Sequence, residues 1–221
     1  MKHSTLLALV PALLMAVNAH AVVLQYSGNI YEVANAQGER IGSTVDHINF
    51  SVGSASEVCF DVLSWEYDFN TSSHVDVNGD GEIAFFDPYI HLFRDDGALD
   101  SGDWVASNDD SMSTYGDGSV SSLDSYLSRP LAAGDYVLAV GSFYLSRDEA
   151  IAGFNADIDY PISDLEEWTY SDHGDYRVTF CGDVTACGSD PVVPEPATLA
   201  LVGLGLSSAG LLQRRRWAAR R

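Results

Sequence analysis

Hydrophobic and polar positions alternate in short bursts along most of this chain. The run "HINFSV" (47–52) puts Ile48 and Phe50 on one face. In "EVCFDVLSWEY" (57–67), Val58, Phe60 and Val62 share one side, while Cys59, Asp61 and Leu63 share the other. "VVLQY" (22–26), "YIHLF" (89–93) and "DWVAS" (103–107) are further bursts, and "DYRVTF" (175–180) is the last strong one. Two strand-like runs flank "LAAG" within "DSYLSRPLAAGDYVLAVGSF" (124–143). A period of two over a few residues is what a half-buried strand shows. Long runs at helical spacing are missing, and no repeat of fixed length recurs. Many short strands with Gly, Asp, Asn and Ser turns between them predict an all-β fold, an antiparallel β-sandwich. The roughly 170 residues involved are one domain's worth.

Both ends break the pattern. Lys2 is followed by the apolar run "TLLALVPALLMAV" and then by Ala19-His20-Ala21. Small residues at Ala19 and Ala21 are what a signal peptidase reads, so residues 1–21 are expected to be a signal peptide helix handled by the Sec machinery. At the other end, Val193-Pro194-Glu195-Pro196 forms an extended stub. Residues 197–212 are uncharged and mostly apolar, and Arg214, Arg215, Arg216, Arg220 and Arg221 close the chain. The apolar stretch is a little shorter than the ~20 residues of an average membrane-crossing helix. The arginines belong on the cytoplasmic side. A C-terminal transmembrane helix in the inner membrane, with residues 22–190 facing outward, is the expected arrangement.

This tripartite end resembles the PEP-CTERM sorting signal of Gram-negative bacteria. The resemblance implies recognition through Pro194, Glu195 and Pro196 by an exosortase, a membrane-embedded transpeptidase-like enzyme that removes the tail. It also implies an exported product found at the cell surface or outside the cell, in the company of exopolysaccharide and biofilm systems. Residues 191–221 are then a sorting signal rather than part of the folded domain.

Charge sharpens the picture of the body. Between residues 22 and 196 lie all 32 acids and five arginines, a net charge of −27. Phosphate binding needs a basic face, so nucleic acid is excluded as a partner. Self-repulsion on this scale strains a compact state, and a bound divalent cation would relieve it.

A second resemblance lies within the body, across roughly residues 45–182. "FDPYIHLFRDDGAL", "ASNDDS" and "DSYLSRPLAAGDYVLAVGSF" are similar to the bacterial pre-peptidase C-terminal domain. Asp87, Pro88, Asn108, Asp109, Asp110, Asp124, Leu131, Gly134 and Tyr136 sit at the matching places. The resemblance implies a jelly-roll-like β-sandwich and says little about activity.

One loop carries candidate chemistry. In "DVNGDGEIAFFD" (76–87), Asp76, Asn78 and Asp80 occupy positions 1, 3 and 5, and Gly81 stands at the turn. Glu82 offers a backbone carbonyl at position 7, and Asp87 stands at position 12. That is the calcium-loop schedule of an EF-hand, with the shorter Asp in place of the usual final Glu. The loop is also similar to that of dockerins, although this chain has one copy. Ca2+ is the expected cofactor, with a metal-free Asx-rich turn as the alternative. "ASNDDS", with Asp117 and Asp124, is a second acidic stretch, read here as turn-capping residues in preference to a second metal site.

Of the three cysteines, Cys181 and Cys187 bracket "GDVTA", and a local disulfide between them is expected. The rival pairing joins Cys59 to Cys181 across the body. Catalysis finds little support. His47, His74, His91 and His173 have no metalloprotease spacing, and there is no G-x-S-x-G elbow. The expected function is therefore a non-enzymatic, calcium-stabilised matrix protein. The alternative is a carbohydrate-binding module presenting Trp65, Trp104 or Trp168 on a sheet face, and a secreted hydrolase comes last.

Overall fold

The computed structural model describes residues 24–68, 73–79, 81, 83–111, 118–119, 121–164 and 169–186. The expected signal peptide, transmembrane segment and arginine tail lie outside them. In chain order the strands are Leu24–Ala34 (β1), Arg40–Thr44 (β2), Asp46–Val52 (β3), Ser56–Leu63 (β4), Tyr67–Asp68 (β5), Ser73–His74 (β6), Ala84–Phe85 (β7), Pro88–Arg94 (β8), Trp104–Asn108 (β9), Tyr126–Leu131 (β10) and Gly134–Ser142 (β11). A short helix, Arg147–Ala152 (α1), comes next. Phe154–Asn155 (β12), Ser163–Asp164 (β13), Thr169–Tyr170 (β14), His173–Cys181 (β15) and Val184–Ala186 (β16) complete the chain.

Two antiparallel sheets form the body. One runs β10-β4-β15-β1-β2-β12 and the other β16-β3-β11-β8-β9. The alternation seen in the sequence is the reason they face each other. Ile48, Phe50 and Val52 of β3 are buried while His47 and Asn49 are exposed. Val58, Phe60 and Val62 of β4 point into the same core. At its centre, the rings of Phe50, Phe60 and Phe180 meet edge to face at 5.3–5.5 Å, and Tyr136 stacks on Phe50 at 5.6 Å. Each such pair contributes about 0.5–1.5 kcal/mol beyond the area it buries.

Strand β11 explains a second layer. Its run "YVLAV" is apolar at every position because both faces are covered. Tyr136, Leu138 and Val140 join the core between the sheets. Val137 and Ala139 join Val45, Phe93, Leu145 and Ala150 in a smaller cluster on the outer face. Helix α1 closes that cluster. Ser146 accepts from the Glu149 backbone N–H while the Glu149 carboxylate accepts from the Ser146 N–H, a capping box. Gly153 ends the helix at φ 73°, the left-handed conformation that glycine adopts without steric cost.

The cysteine expectation requires correction. Cys59 of β4 and Cys181 of β15 are bonded, with Cα atoms 5.0 Å apart. The two residues face each other in the strand register, so the ladder itself delivers the pair. The Cys181–Cys187 pairing gives way to it, and Cys187 lies outside the described residues. Sequence spacing favours the short loop, whereas sheet register brings together residues 122 apart. A loop of that length predicts about 4–5 kcal/mol of stabilisation by the chain-entropy argument. Proteolysis of unreduced protein should release one cross-linked species joining the Cys59 and Cys181 peptides. Reduction, or Cys59→Ser, should lower stability by several kcal/mol in denaturant titrations.

Candidate functional site

The acidic residues gather where β8 begins, β9 ends and β10 begins. Ser125 holds the three segments together. Its hydroxyl lies 2.6 Å from the carbonyl oxygen of Pro88, 3.1 Å from that of Asn108 and 2.5 Å from that of Asp109. The Asn108 side chain accepts from the Tyr126 N–H at 2.8 Å, the turn-capping role expected of it. Phe143 donates its N–H to the Asp87 carbonyl at 2.8 Å. These bonds fix the backbone beneath three carboxylates, those of Asp87, Asp109 and Asp110, which offer oxygens all within 4.8 Å of one another.

The trio is electrostatically uncomfortable. Among the described residues, the Asp87 Oδ1 and Asp109 Oδ1 atoms are buried and have no hydrogen-bond partner. Burial first, then the charges of Asp109, Asp110 and Asp124, push the Asp87 carboxyl up to about 7. Burial and Asp110 push Asp109 up to about 6. Converging oxygen-only donors of this kind are hard ligands, which suit Ca2+ or Mg2+ better than a softer ion. Asp124 stands behind them, 2 % exposed. Its Oδ1 accepts from the Ser64 and Trp65 N–H groups, and its Oδ2 accepts from the Ser119 hydroxyl at 2.5 Å. Burial outweighs those donors and raises it to about 6.

The sequence-predicted calcium loop is divided. Asp87, its twelfth residue, belongs to the trio with Asp109 and Asp110. Asp76, its first, accepts from the N–H groups of Gly79 at 2.5 Å and Gly81 at 2.9 Å, so it caps the loop's own backbone. Asn78 is exposed. Asp80 and Glu82 lie outside the described residues. Spacing alone singled out the loop. Asp109 and Asp110 lie in the second acidic stretch, "ASNDDS", and nothing in local spacing joins them to Asp87, which they reach through the fold.

Glu66 organises the loop's base and was not foreseen. It is fully buried. Its carboxylate accepts from Val77 N–H at 2.6 Å and Ala84 N–H at 2.7 Å, and its carbonyl accepts from Val75 N–H at 2.8 Å. One side chain thus bridges both ends of the 76–83 loop. Burial, opposed by the two N–H donors and reinforced by Asp175 and Asp76, pushes Glu66 up to about 8.

Beyond the described residues, residues 192–216 match the PEP-CTERM protein-sorting motif. The chain carries a PEP-CTERM sorting signal. A protein with this motif is exported and directed to an exosortase, so the C-terminal motif serves surface anchoring and processing. No curated protein matches this chain significantly. Among solved structures, it is similar to the pre-peptidase C-terminal domain of collagenase from Bacillus anthracis. The identity is 12 %, the alignment covers 72 % of this chain and 90 % of that one, and the TM-score is 0.34. Among the described residues, no helix is long and apolar enough to cross a membrane.

Glu66, Asp87, Asp109 and Asp124 all shift upward, so the folded protein holds protons that the unfolded chain has already released. Between the ordinary carboxylate range near 4 and the folded-state values, the native state binds the extra protons and stability falls as pH rises. In EDTA, the melting temperature should therefore decline from about pH 5 to about pH 8. Glu66→Gln should lower the starting point and flatten the upper part of the decline. A melting temperature that climbs across this range would contradict the account.

Proposed function

We propose that this is an exported, exosortase-processed, non-enzymatic β-sandwich of the cell surface or exopolysaccharide matrix, with Asp87, Asp109 and Asp110 holding a calcium ion. The observation that carries the cation is the pair of buried carboxylate oxygens, on Asp87 and Asp109, without a hydrogen-bond partner among the described residues and inside a three-carboxylate cluster. Calcium suits the site better than magnesium, because carboxylates from separate segments supply a large, irregular oxygen cage. Export places such a site where millimolar calcium can fill even a weak centre. Cation binding answers the −27 charge of the body, and the loop donors Asp76, Asn78, Asp80 and Glu82 are the rival set.

A structural role also fits the nucleophile and base candidates. Cys59 is committed to a disulfide. His91 is bonded through both ring nitrogens. Before processing, the chain would pass through the Sec machinery, lose residues 1–21 to signal peptidase and sit in the inner membrane by its C-terminal helix. The exosortase would then act at Pro194, Glu195 and Pro196 and release the domain to the surface.

At calcium about ten times its dissociation constant, linkage gives ~1.4 kcal/mol, a rise of roughly 3–6 °C in melting temperature. The rise should be clear near pH 7.5 and small near pH 5, where Asp87 and Asp109 hold protons. Asp109→Asn should abolish the calcium response while leaving the EDTA melting temperature equal or higher. Asp80→Ala should leave the response intact. Loss of the response in Asp80→Ala alone would move the site to the 76–87 loop, and no response in the parent protein would remove the cation altogether.

A further inference from the structure

The outer face of the five-stranded sheet carries a cleft, far from the carboxylate trio in chemistry if not in sequence. Its volume is about 320 Å3, and Tyr89, Trp104, Ser107, Tyr144, Arg147 and Asp148 line it. Tyr144 is 51 % exposed and Trp104 37 %, both high for large aromatic groups. Tyr89 meets Tyr144 edge to face at 5.9 Å, so the exposed ring is propped from behind. The Arg147 guanidinium lies 4.4 Å over the Trp104 ring.

His91 makes this cleft rigid. Indole N–H is a donor only, and Trp104 Nε1 lies 3.2 Å from His91 Nδ1, so Nδ1 must accept. The ring proton then sits on Nε2, which donates to the Leu145 carbonyl at 2.9 Å. The neutral imidazole thus brackets Trp104 of β9 to the turn that carries Tyr144 and Arg147. Burial, and the Arg147 charge after it, hold the His91 pKa below its ordinary value despite the Leu145 bond, which keeps the bracket in this form.

We propose that the cleft binds a neutral polysaccharide, with the C–H face of a hexopyranose ring on Tyr144 and ring hydroxyls met by Arg147, Asp148 and Ser107. Aromatic faces suit the apolar side of a sugar ring, as they suit other C–H surfaces. Vicinal hydroxyls each donate and accept, and here a guanidinium donor, a carboxylate acceptor and a serine stand side by side. The Arg147 and Asp148 charges cancel within the cleft. The surrounding field of a body at −27 repels polyanions, which excludes uronate chains as the preferred ligand. A preformed cleft with a few placed polar groups is the ordinary form of a small-ligand site. The proposal rests on the matrix reading for its setting, but it uses none of the cation-site residues.

The test is native gel electrophoresis of full-length mature protein through gels containing soluble neutral β-glucan, galactomannan or polygalacturonate. Retardation by one of the neutral polymers and none by polygalacturonate is expected. Tyr144→Ala, whose ring is half exposed, should abolish the retardation with an unchanged melting temperature. Arg147→Gln should weaken it about tenfold, the loss of roughly one charge-assisted hydrogen bond. Asp109→Asn should bind as the parent does, so failure of the cation site and failure of the cleft are separable. No retardation by either neutral polymer, retardation that survives in Tyr144→Ala, or a preference for polygalacturonate would each overturn the proposal.

Discussion

The governing constraint in this molecule is what meets each carboxylate that the fold takes out of water. An ionised acid in a low-dielectric interior is costly unless donors or charges answer it. Glu66 is answered by two backbone N–H groups, and Asp124 by two N–H groups and two hydroxyls. Asp175 is answered by the Asn29 side-chain amide at 2.6 Å. These bonds also tie neighbouring segments together: Glu66 fastens the 76–83 loop, and Asp124 fastens the end of β4 to the approach to β10. Asp87 and Asp109 differ in their company: they gather with Asp110, and each has a buried oxygen with no hydrogen-bond partner among the described residues. Within one fold, buried carboxylates therefore serve as struts in some places and gather into an acidic cluster in another.

The sandwich supplies the frame in which those differences arise. Its core of interlocked phenyl rings sets the two sheets against each other, and the β4–β15 disulfide ties neighbouring strands of one sheet. On that frame the ends of strands converge, and residues distant in sequence meet. The acidic trio lies at such a convergence. The aromatic cleft lies elsewhere, on the outer face of the second sheet, because β11 is covered on both sides and the turn into α1 folds back over it. A strand with one solvated face would have left Tyr89, His91 and Phe93 as an open stripe. Here Tyr89 and His91 form a wall of a cleft.

Several features were legible before the structure. The alternation in "HINFSV" and "EVCFDVLSWEY" identified strands and inward faces, because the pleat has a period of two whatever the sheet order. The helix α1 was missed, although "SRDEAIAG" contains a Ser-x-x-Glu capping box and a closing glycine. Six residues are too few for helical periodicity to show. Fixed spacing marks 76–87 as a candidate calcium loop, whereas "ASNDDS" reads more readily as turn caps than as a metal site, a role that Asn108 does fill. Glu66 stood inside a strand-like run with nothing to mark it.

By itself, the sequence determined the exported class, the sorting motif, the acidic body and the β architecture, because each is written in local order: a signal, a stub, a composition, a period. Tertiary structure alone decided which cysteines bond, which carboxylates share a site and which aromatics stay in solvent. Those outcomes depend on strand register and sheet order, which place residues far apart in the chain within a few ångströms of one another. The Cys59–Cys181 bond and the meeting of Asp87 with Asp109 and Asp110 have that one cause.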